Sequence, residues 1–195
     1  MRIEICGGIG AGKTSLVNAN LFSSFVHVKE SFKQNPFWEA FYKSPGDHAF
    51  ETEITFLLQH YHDVKRHSGS ELICDFSFAQ DLAFAEMGLT GNRLKLFREV
   101  AKECLSEIGF PTATIYLNCS PSILLQRITE RGRPEEMNIG EEFLKKLSEN
   151  IEKELSHEDW KNRLTLDSEK IDFRKTGPEL ERVIRDIKNF CTIPN

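Results

Sequence analysis

Residues 7–14 read Gly7-Gly8-Ile9-Gly10-Ala11-Gly12-Lys13-Thr14 and match the pattern G-x-x-x-x-G-K-[ST] at every position. They follow the apolar run Ile3–Cys6 and precede a helical pattern that begins at Ser15. A loop placed between a strand and a helix in this way turns its backbone N–H groups toward phosphate oxygens. Its lysine reaches the β- and γ-phosphates, and its threonine hydroxyl binds Mg²⁺. The residues expected to hold a nucleoside triphosphate are therefore Gly7, Gly8, Gly10, Ala11, Gly12, Lys13, Thr14 and Ser15.

The length and composition of the chain limit the kind of protein it can be. Its 195 residues suit a single domain, which we place at 1–195. A net charge of −5 argues against a nucleic-acid partner, which usually needs a basic face. A run of about eighteen apolar residues, the mark of a membrane span, is missing. The five scattered cysteines form no C-x-x-C pair, so we expect buried, reduced thiols in a cytoplasmic protein.

Short β-branched runs alternate with longer helical patterns along the whole chain. The strand candidates are Ile3–Cys6, Val26–Lys29, Leu72–Asp75, Thr112–Leu117 and Arg163–Leu166. The helical stretches lie near 12–20, 36–43, 47–67, 78–87, 90–108, 121–131, 140–158 and 178–190. This alternation predicts an α/β fold, a five-stranded parallel sheet flanked by helices. Ligands of such sheets bind at the carboxyl ends of the strands.

A second signal is a cluster of three arginines. Arg127 and Arg131 lie four residues apart on one helix face, and Arg133 follows after a glycine that lets the chain bend. Arginine suits contact with phosphate because its planar fork meets two oxygens at once. A solvated charge run at a helix end is the competing interpretation. Because the same chain carries a phosphate-binding loop, we favour an arginine-rich lid that closes over the transferring phosphates.

Two acids follow predicted strands at the sheet edge where the phosphate loop lies. Glu30 comes directly after Val26–Lys29 and could accept the proton of an attacking hydroxyl. Asp75 ends the strand that begins at Leu72 and could hold Mg²⁺ directly or through water. An exposed loop acid at Glu30 and a helix cap at Asp75 are the competing interpretations. We expect ATP and Mg²⁺ as the cofactors.

With these motifs in place the chain resembles the deoxynucleoside kinases, and most closely the small bacterial deoxyadenosine/deoxyguanosine-type members. The segment Val28–Phe37, with Glu30 and Asn35-Pro36-Phe37, is similar to their E-P-x-x-x-N-P-[FY] segment. The run Arg131–Glu136 and the following Ile139–Glu142 resemble their lid. Leu166-Asp167 and Asp172-Phe173 resemble the loop that lies along the adenine of the phosphate donor.

The resemblance implies a P-loop kinase fold and transfer of the ATP γ-phosphoryl group to the 5′-hydroxyl of a nucleoside or deoxynucleoside. Glu30 would be the general base, and Lys13, Arg127, Arg131 and Arg133 would act on the phosphates. Tyr42 and Glu136 would contact the sugar 3′-hydroxyl, Asp81 would lie beside the base, and Thr14 and Asp75 would serve the metal. Asp172 and Phe173 would contact the donor. Family members are commonly homodimers, so a homodimer is expected.

Two departures from the family pattern concern the acceptor. The family has an arginine where this chain has Phe76, and losing such a contact can cost roughly 2–4 kcal/mol of transition-state stabilisation. Glu53 stands where the family usually has a glutamine that bonds the base; an ionised glutamate only accepts hydrogen bonds. His60 also stands where an arginine often supports the base region. The phosphate-donor half of the site therefore matches the family, while the acceptor half differs.

Three functions remain open at this point. The first is a nucleoside or deoxynucleoside kinase with an atypical acceptor site. The second is a kinase of the same fold for another small hydroxylated or nucleotide acceptor, which Phe76, Glu53 and His60 would favour. The third is a non-catalytic nucleotide-binding module, which rests on Phe76 alone. The sequence leaves the base, the sugar and the choice between ATP and GTP undecided.

Overall fold

The computed structural model describes residues 1–19 and 24–192. The last residue of the first predicted helix, Asn20, lies outside the described residues, as do residues 193–195 of the predicted domain. Within the described part, helices and strands alternate in the predicted order, and each predicted strand is found.

The centre of the molecule is a parallel sheet, as the alternating pattern predicted. The strands are β1 (Arg2–Gly7), β2 (Val26–Val28), β3 (Leu72–Cys74), β4 (Ala113–Asn118) and β5 (Arg163–Asp167). They lie in the order β2-β3-β1-β4-β5, and every pairing is parallel. All six residues of β1 are buried, because the strand is central and helices cover both faces.

Helices connect the strands. They are α1 (Lys13–Val17), α2 (Trp38–Lys43), α3 (Pro45–Arg66), α4 (Phe78–Gly88), α5 (Gly91–Ile108), α6 (Pro121–Arg131), α7 (Glu141–Leu155) and α8 (Pro178–Cys191). Short 3₁₀ turns occur in the described ranges at Phe32–Gln34, Pro134–Glu136 and Glu158–Trp160. The predicted stretch 140–158 is thus two elements, because the helix ends at Leu155 and the chain re-enters a short turn. Proline begins α6 and α8, where its missing N–H costs no hydrogen bond.

Two apolar cores lie on the two faces of the sheet. Ile3 and Ile5 of β1 pack with α1, α6 and α8, whereas Cys6 of the same strand packs with α3, α4 and α5. This division follows from the period of two along a strand, which sends successive side chains to opposite faces. All five cysteines are buried and free. No helix in the described ranges is long and apolar enough to cross a membrane.

The parallel arrangement collects the functional segments at one edge. Each strand ends on that edge, so the loops after β1, β2, β3 and β5 approach one another there. These loops carry Gly8–Gly12, Glu30, Asp75 and Ser168–Phe173 in turn. They open onto a cleft of about 720 Å³ between the sheet edge, α2, α3, α4 and α6.

Candidate active site

The phosphate-binding loop forms the floor of the cleft. Gly10 has φ 85° and Gly12 has φ 100°, values in a region of positive φ that residues other than glycine rarely adopt. A Cβ on Gly12 would also lie 2.9 Å from Cδ2 of Phe173. The Gly12 carbonyl accepts the first hydrogen bond of α1 from Leu16 N at 2.9 Å. These two glycines therefore allow the tight turn that lets the loop and the Phe173 ring approach each other.

Lys13 and Thr14 begin α1 and point toward the loop and the β3 end. The Lys13 ammonium donates to the Gly7 carbonyl at 2.8 Å and to that of Gly8 at 3.4 Å. The Thr14 hydroxyl donates to Asp75 Oδ2 at 2.6 Å. Residues 9–15 of the predicted loop line the cleft, whereas Gly7 and Gly8 contact it through the hydrogen bonds of their carbonyls with Lys13. The structure thus brings Lys13, Thr14 and Asp75 to one point.

Asp75 is the residue best suited to hold a cation. Its side chain is buried, and among the described residues Oδ1 has no hydrogen-bond partner. Burial raises the pKa of Asp75 to about 6; the hydrogen bond from Thr14 opposes the rise, and the Glu30 carboxylate adds to it. A hydroxyl beside a carboxylate with a free oxygen is a donor set that Mg²⁺ accepts when phosphate oxygens complete its shell. In the described ranges there is no group of three or more His, Cys, Asp or Glu side chains that could hold a metal by itself. The residues present therefore fit an Mg²⁺ ion that is bound together with a nucleotide.

The segment after β5 closes one end of the cleft. Phe173 is buried against Gly12, and Asp172 forms an ion pair with Arg174, with 2.8 Å between Oδ1 and Nε. That guanidinium lowers the pKa of Asp172 below its usual range. Arg127 of α6 donates to the Ser168 carbonyl at 2.7 Å and so ties the helix to this segment. Arg127 thus contacts the segment after β5, whereas the other two arginines of the predicted lid pair with Glu136.

Arg131 and Arg133 meet Glu136 at the other end. Gly132 ends α6 with φ 64°, which turns the chain sharply between the two arginines. Both guanidiniums pair with the buried Glu136 carboxylate, and Arg133 Nη1 lies 3.1 Å from its Oε1. The Arg133 guanidinium also lies 4.5 Å from the centre of the Phe32 ring, a cation–π contact. These contacts join the predicted lid to the segment that follows β2.

The predicted acceptor residues converge on the same cleft. Glu30, Tyr42, Glu53, Asp81 and Glu136 all line it. Burial raises the pKa of Tyr42, and the nearby carboxylates of Glu136, Glu30 and Glu53 raise it further. The three carboxylates are therefore close to the Tyr42 phenol although they come from three separate segments. A wall of acidic side chains suits an acceptor that offers hydroxyl and N–H donors.

The protonation of Glu53 decides which hydrogen bonds it can form. Burial raises the pKa of Glu53 well above its usual value, and the carboxylates of Asp81 and Glu30 add to the rise. The shift favours the neutral acid, which donates one hydrogen bond and accepts another. The expectation that Glu53 only accepts hydrogen bonds holds for its ionised form, whereas the raised pKa favours the neutral form. A neutral glutamic acid offers the same pair of hydrogen bonds as the glutamine it replaces.

Two features of the acceptor end were missed by sequence reasoning. His60 Nδ1 lies 2.9 Å from Asp81 Oδ2, and the His60 ring stacks on Phe76 with 3.8 Å between centres. Gln80 lines the cleft and its Oε1 accepts from Gly7 N at 3.3 Å. The only advance signal was that the chain departs from the family at both positions 60 and 76. Their contact depends on how α3 packs beside α4.

Comparison with known proteins agrees with this geometry. A family model described as deoxynucleoside kinase matches residues 3–192. Deoxyguanosine kinase of Bacillus subtilis is 30% identical over 201 residues, which cover 96% of each chain. Deoxyadenosine kinase of Dictyostelium discoideum is 30% identical over 161 residues, 74% of this chain and 62% of that one. The structure of deoxyadenosine kinase from M. mycoides with bound dCTP superposes with a TM-score of 0.81, covering 97% of this chain and 100% of that one; at 24% identity it shows the fold alone.

Proposed function

The chain belongs to the deoxynucleoside kinase family, and from that premise we propose that it transfers the γ-phosphoryl group of ATP to the 5′-hydroxyl of a deoxynucleoside. The observation that supports this most is the convergence of Glu30, Tyr42 and Glu136 in one cleft with the phosphate-binding loop. The family is one of enzymes, and the chain keeps the groups that phosphoryl transfer needs. The relatives named deoxyguanosine kinase and deoxyadenosine kinase put these two nucleosides first among the acceptors to test.

The roles proposed for the residues are those that the family resemblance implies, and their place around one cleft supports them. Glu30 takes the proton of the 5′-hydroxyl while the hydroxyl oxygen attacks the γ-phosphorus. The bond between that phosphorus and the bridging oxygen of ADP then breaks. Lys13 exchanges the Gly7 carbonyl for phosphate oxygens, while Arg127, Arg131 and Arg133 bind the charge on the moving group. Tyr42 and Glu136 hold the sugar hydroxyl, and Glu53 and Asp81 contact the base. Asp172 and Phe173 lie along the base of ATP.

We propose Thr14 and Asp75 as the residues that hold Mg²⁺. The ion would neutralise charge on the β- and γ-phosphates when it is bound. The unpartnered Oδ1 of Asp75 supports this role, because it is a buried acceptor that a cation or its water would satisfy. Mg²⁺ titration followed by the Thr14 and Asp75 resonances in the presence of ATP would test the assignment.

The remaining proposals concern the whole protein. We propose a single domain over 1–195 that acts as a cytoplasmic homodimer without a nucleic-acid or membrane partner. The family resemblance supports the dimer, and the net charge of −5 supports the absence of a nucleic-acid partner. Light scattering at several concentrations tests the dimer, and a monomeric mass at every concentration would contradict it.

The deciding experiment measures ADP release with Mg-ATP against the common ribo- and deoxyribonucleosides. Each active acceptor is then checked for a 5′-monophosphate product. We expect release with at least one deoxynucleoside. If no nucleoside causes ADP release although ATP is shown separately to bind, another class of acceptor becomes the better proposal. Replacing ATP with GTP in the same assay identifies the phosphate donor.

A further inference from the structure

His60 is a buried side chain that does not itself line the cleft but contacts a residue that does. It lies on α3 with 2% of its surface exposed, and its Nδ1 is 2.9 Å from Oδ2 of Asp81 on α4. Asp81 is among the residues that line the acceptor end, whereas His60 is not among the described lining residues. The hydrogen-bond contact of His60 with a residue of the cleft is therefore the one to Asp81.

Aromatic rings fix the plane of the His60 imidazole. The ring is nearly parallel to Phe76, at an angle of 5° and with 3.8 Å between centres. Phe56, one turn earlier on α3, lies 5.9 Å away, and the Phe78 ring meets the imidazole edge-on at 6.5 Å. A ring held in this way keeps Nδ1 on Asp81 and loses little freedom when it does so. Phe76, which occupies the place of the family arginine, thus becomes the support of His60.

The other ring nitrogen shows that packing alone does not account for a histidine here. Nε2 of His60 is buried and has no hydrogen-bond partner among the described residues. Such an atom costs free energy whether it carries a proton or not. A phenylalanine would fill the same space beside Phe76 without this cost. The contact made by Nδ1 is the feature that only the histidine supplies.

The charges around His60 favour the same contact. Burial by itself would lower the pKa of His60, but Asp81 on α4, Glu30 after β2 and Glu4 on β1 outweigh it and raise the pKa above its usual value. Asp75, which follows β3, also interacts with the imidazole; burial raises the pKa of Asp75, and His60 opposes part of that rise. Arg2 is the cation nearest to Glu4, with 2.9 Å between Nε and Oε1. The setting therefore favours a ring that donates toward Asp81.

We propose that His60, stacked on Phe76, is the positioning residue that donates from Nδ1 to Asp81 and aims that carboxylate at the acceptor base. The stacked histidine thereby supplies a donor at a place where this chain lacks the arginines of its family. The inference rests on the proposed function for its effect on the acceptor. The hydrogen bond itself can be tested without any turnover.

Two variants separate the donor from the ring. His60→Phe keeps the ring and the stack on Phe76 but removes the donor, whereas His60→Asn keeps a donor near the Nδ1 position but removes the ring. Loss of a hydrogen bond to a charged group corresponds to about tenfold or more in binding. We expect His60→Phe to raise the KM for the deoxynucleoside about tenfold with little change in kcat, and His60→Asn to recover part of that loss. The KM for Mg-ATP should stay within about twofold in both, because His60 does not touch the donor half.

A measurement on the wild-type protein tests the bond directly. Nitrogen-15 spectra of the imidazoles report which ring nitrogen carries a proton, and comparison with His60→Phe assigns the His60 signals. We expect a proton on Nδ1 of His60 that exchanges slowly with solvent. In Asp81→Asn the same proton should exchange faster. A ring protonated at Nε2 alone would overturn the proposal. An unchanged KM for the deoxynucleoside in folded His60→Phe would also overturn it. So would equal changes in the KM for the deoxynucleoside and the KM for Mg-ATP. If wild-type protein shows the Nδ1 proton but phosphorylates no nucleoside, the proposed function fails while the bond stands.

Discussion

Asp75, which we propose as a ligand of Mg²⁺, lowers the free energy of unfolding when its buried carboxyl is ionised. Its carboxyl is 4% exposed, and one of its two oxygens has no partner among the described residues. Burial raises its pKa from 3.8 to about 6, so the folded protein binds the proton more tightly than the unfolded chain. Stability is therefore lost as the pH rises from about 4 to about 6, and it is not regained above that range.

We predict that Asp75→Asn stabilises the protein at neutral pH while it impairs phosphoryl transfer. Asparagine still accepts from Thr14 but carries no charge into the buried site. A difference of about two pKa units corresponds to an increase of up to about 3 kcal/mol in the free energy of unfolding at pH 7. Urea unfolding at pH 7 and pH 4 measures it. The gain should vanish at pH 4, where aspartic acid is protonated in the folded state; a gain that is equal at both pH values would contradict the electrostatic cause.

Glu30 provides the second prediction for a single residue. If it accepts the proton of the 5′-hydroxyl, Glu30→Gln should lower kcat by about 10²–10⁴-fold, because the amide cannot act as a base. ATP binding, measured by calorimetry, should be nearly unchanged. Glu71→Gln is the matched control, since Glu71 is exposed just before β3, at the opposite edge of the sheet. An unaffected rate in Glu30→Gln would remove Glu30 from the mechanism.

The phosphate-binding loop is the element on which both the fold and the site depend. Its conformation at Gly12 lies at φ 100°, and the Phe173 ring occupies the space that a side chain would need. The loop between β1 and α1 is thus fitted to the segment after β5, which comes about 160 residues later in the chain.

We predict that Gly12→Ala disrupts this fit. The strained backbone and the contact at 2.9 Å should lower the free energy of unfolding by about 1–3 kcal/mol and weaken ATP binding. Gly46→Ala is the control: a Cβ at Gly46 would have no neighbour within 4 Å, and that glycine lies in the first turn of α3. Thermal unfolding and ATP calorimetry on both variants give the comparison. Equal behaviour of the two alanine variants would show that the loop tolerates a side chain.

Local patterns predicted the elements because each strand and helix leaves its own periodicity in the sequence. They did not reveal the 3₁₀ turn at Phe32–Gln34, since three residues are too few to show a period. The contact of His60 with Asp81 joins residues 21 apart on two helices, and its geometry follows from their packing. The raised pKa of Glu53 depends on its burial and on the carboxylates of Asp81 and Glu30, which other elements bring near it. Motifs thus located the site, whereas its protonation and internal contacts arose from tertiary structure.

At the scale of the whole molecule, a buried ion pair joins the first strand to two distant helices. Glu4 of β1 is fully buried; its Oε1 lies 2.9 Å from Arg2 Nε, and its Oε2 accepts from Phe78 N at 3.1 Å. Arg2 also donates to the carbonyls of Ile108 and Gly109 at the end of α5. One side chain therefore holds the start of α4 and, through Arg2, the end of α5.

We predict that Glu4→Ala is strongly destabilising, because it leaves the Arg2 guanidinium buried without its charge partner. Removing one member of a buried pair typically costs about 3–5 kcal/mol. Urea unfolding measures the loss. The control is Glu158→Ala, which breaks an exposed pair with Lys161 and should leave the midpoint nearly unchanged. Similar losses in the two variants would mean that the contribution of the Arg2–Glu4 pair to stability does not depend on its burial.

The strand order also sets the time at which the protein becomes competent during synthesis. β1 is made first, but its partners are β3 and β4, and Arg2 N bonds to Thr112, 110 residues further along the chain. At ribosomal rates of about 5–20 residues per second, the nascent first strand waits roughly ten seconds for its second neighbour. During that interval the strand that leads into the phosphate-binding loop lacks its β4 neighbour, although β3 is already made. A loop that lies early in the described chain therefore depends on a strand made about 110 residues later.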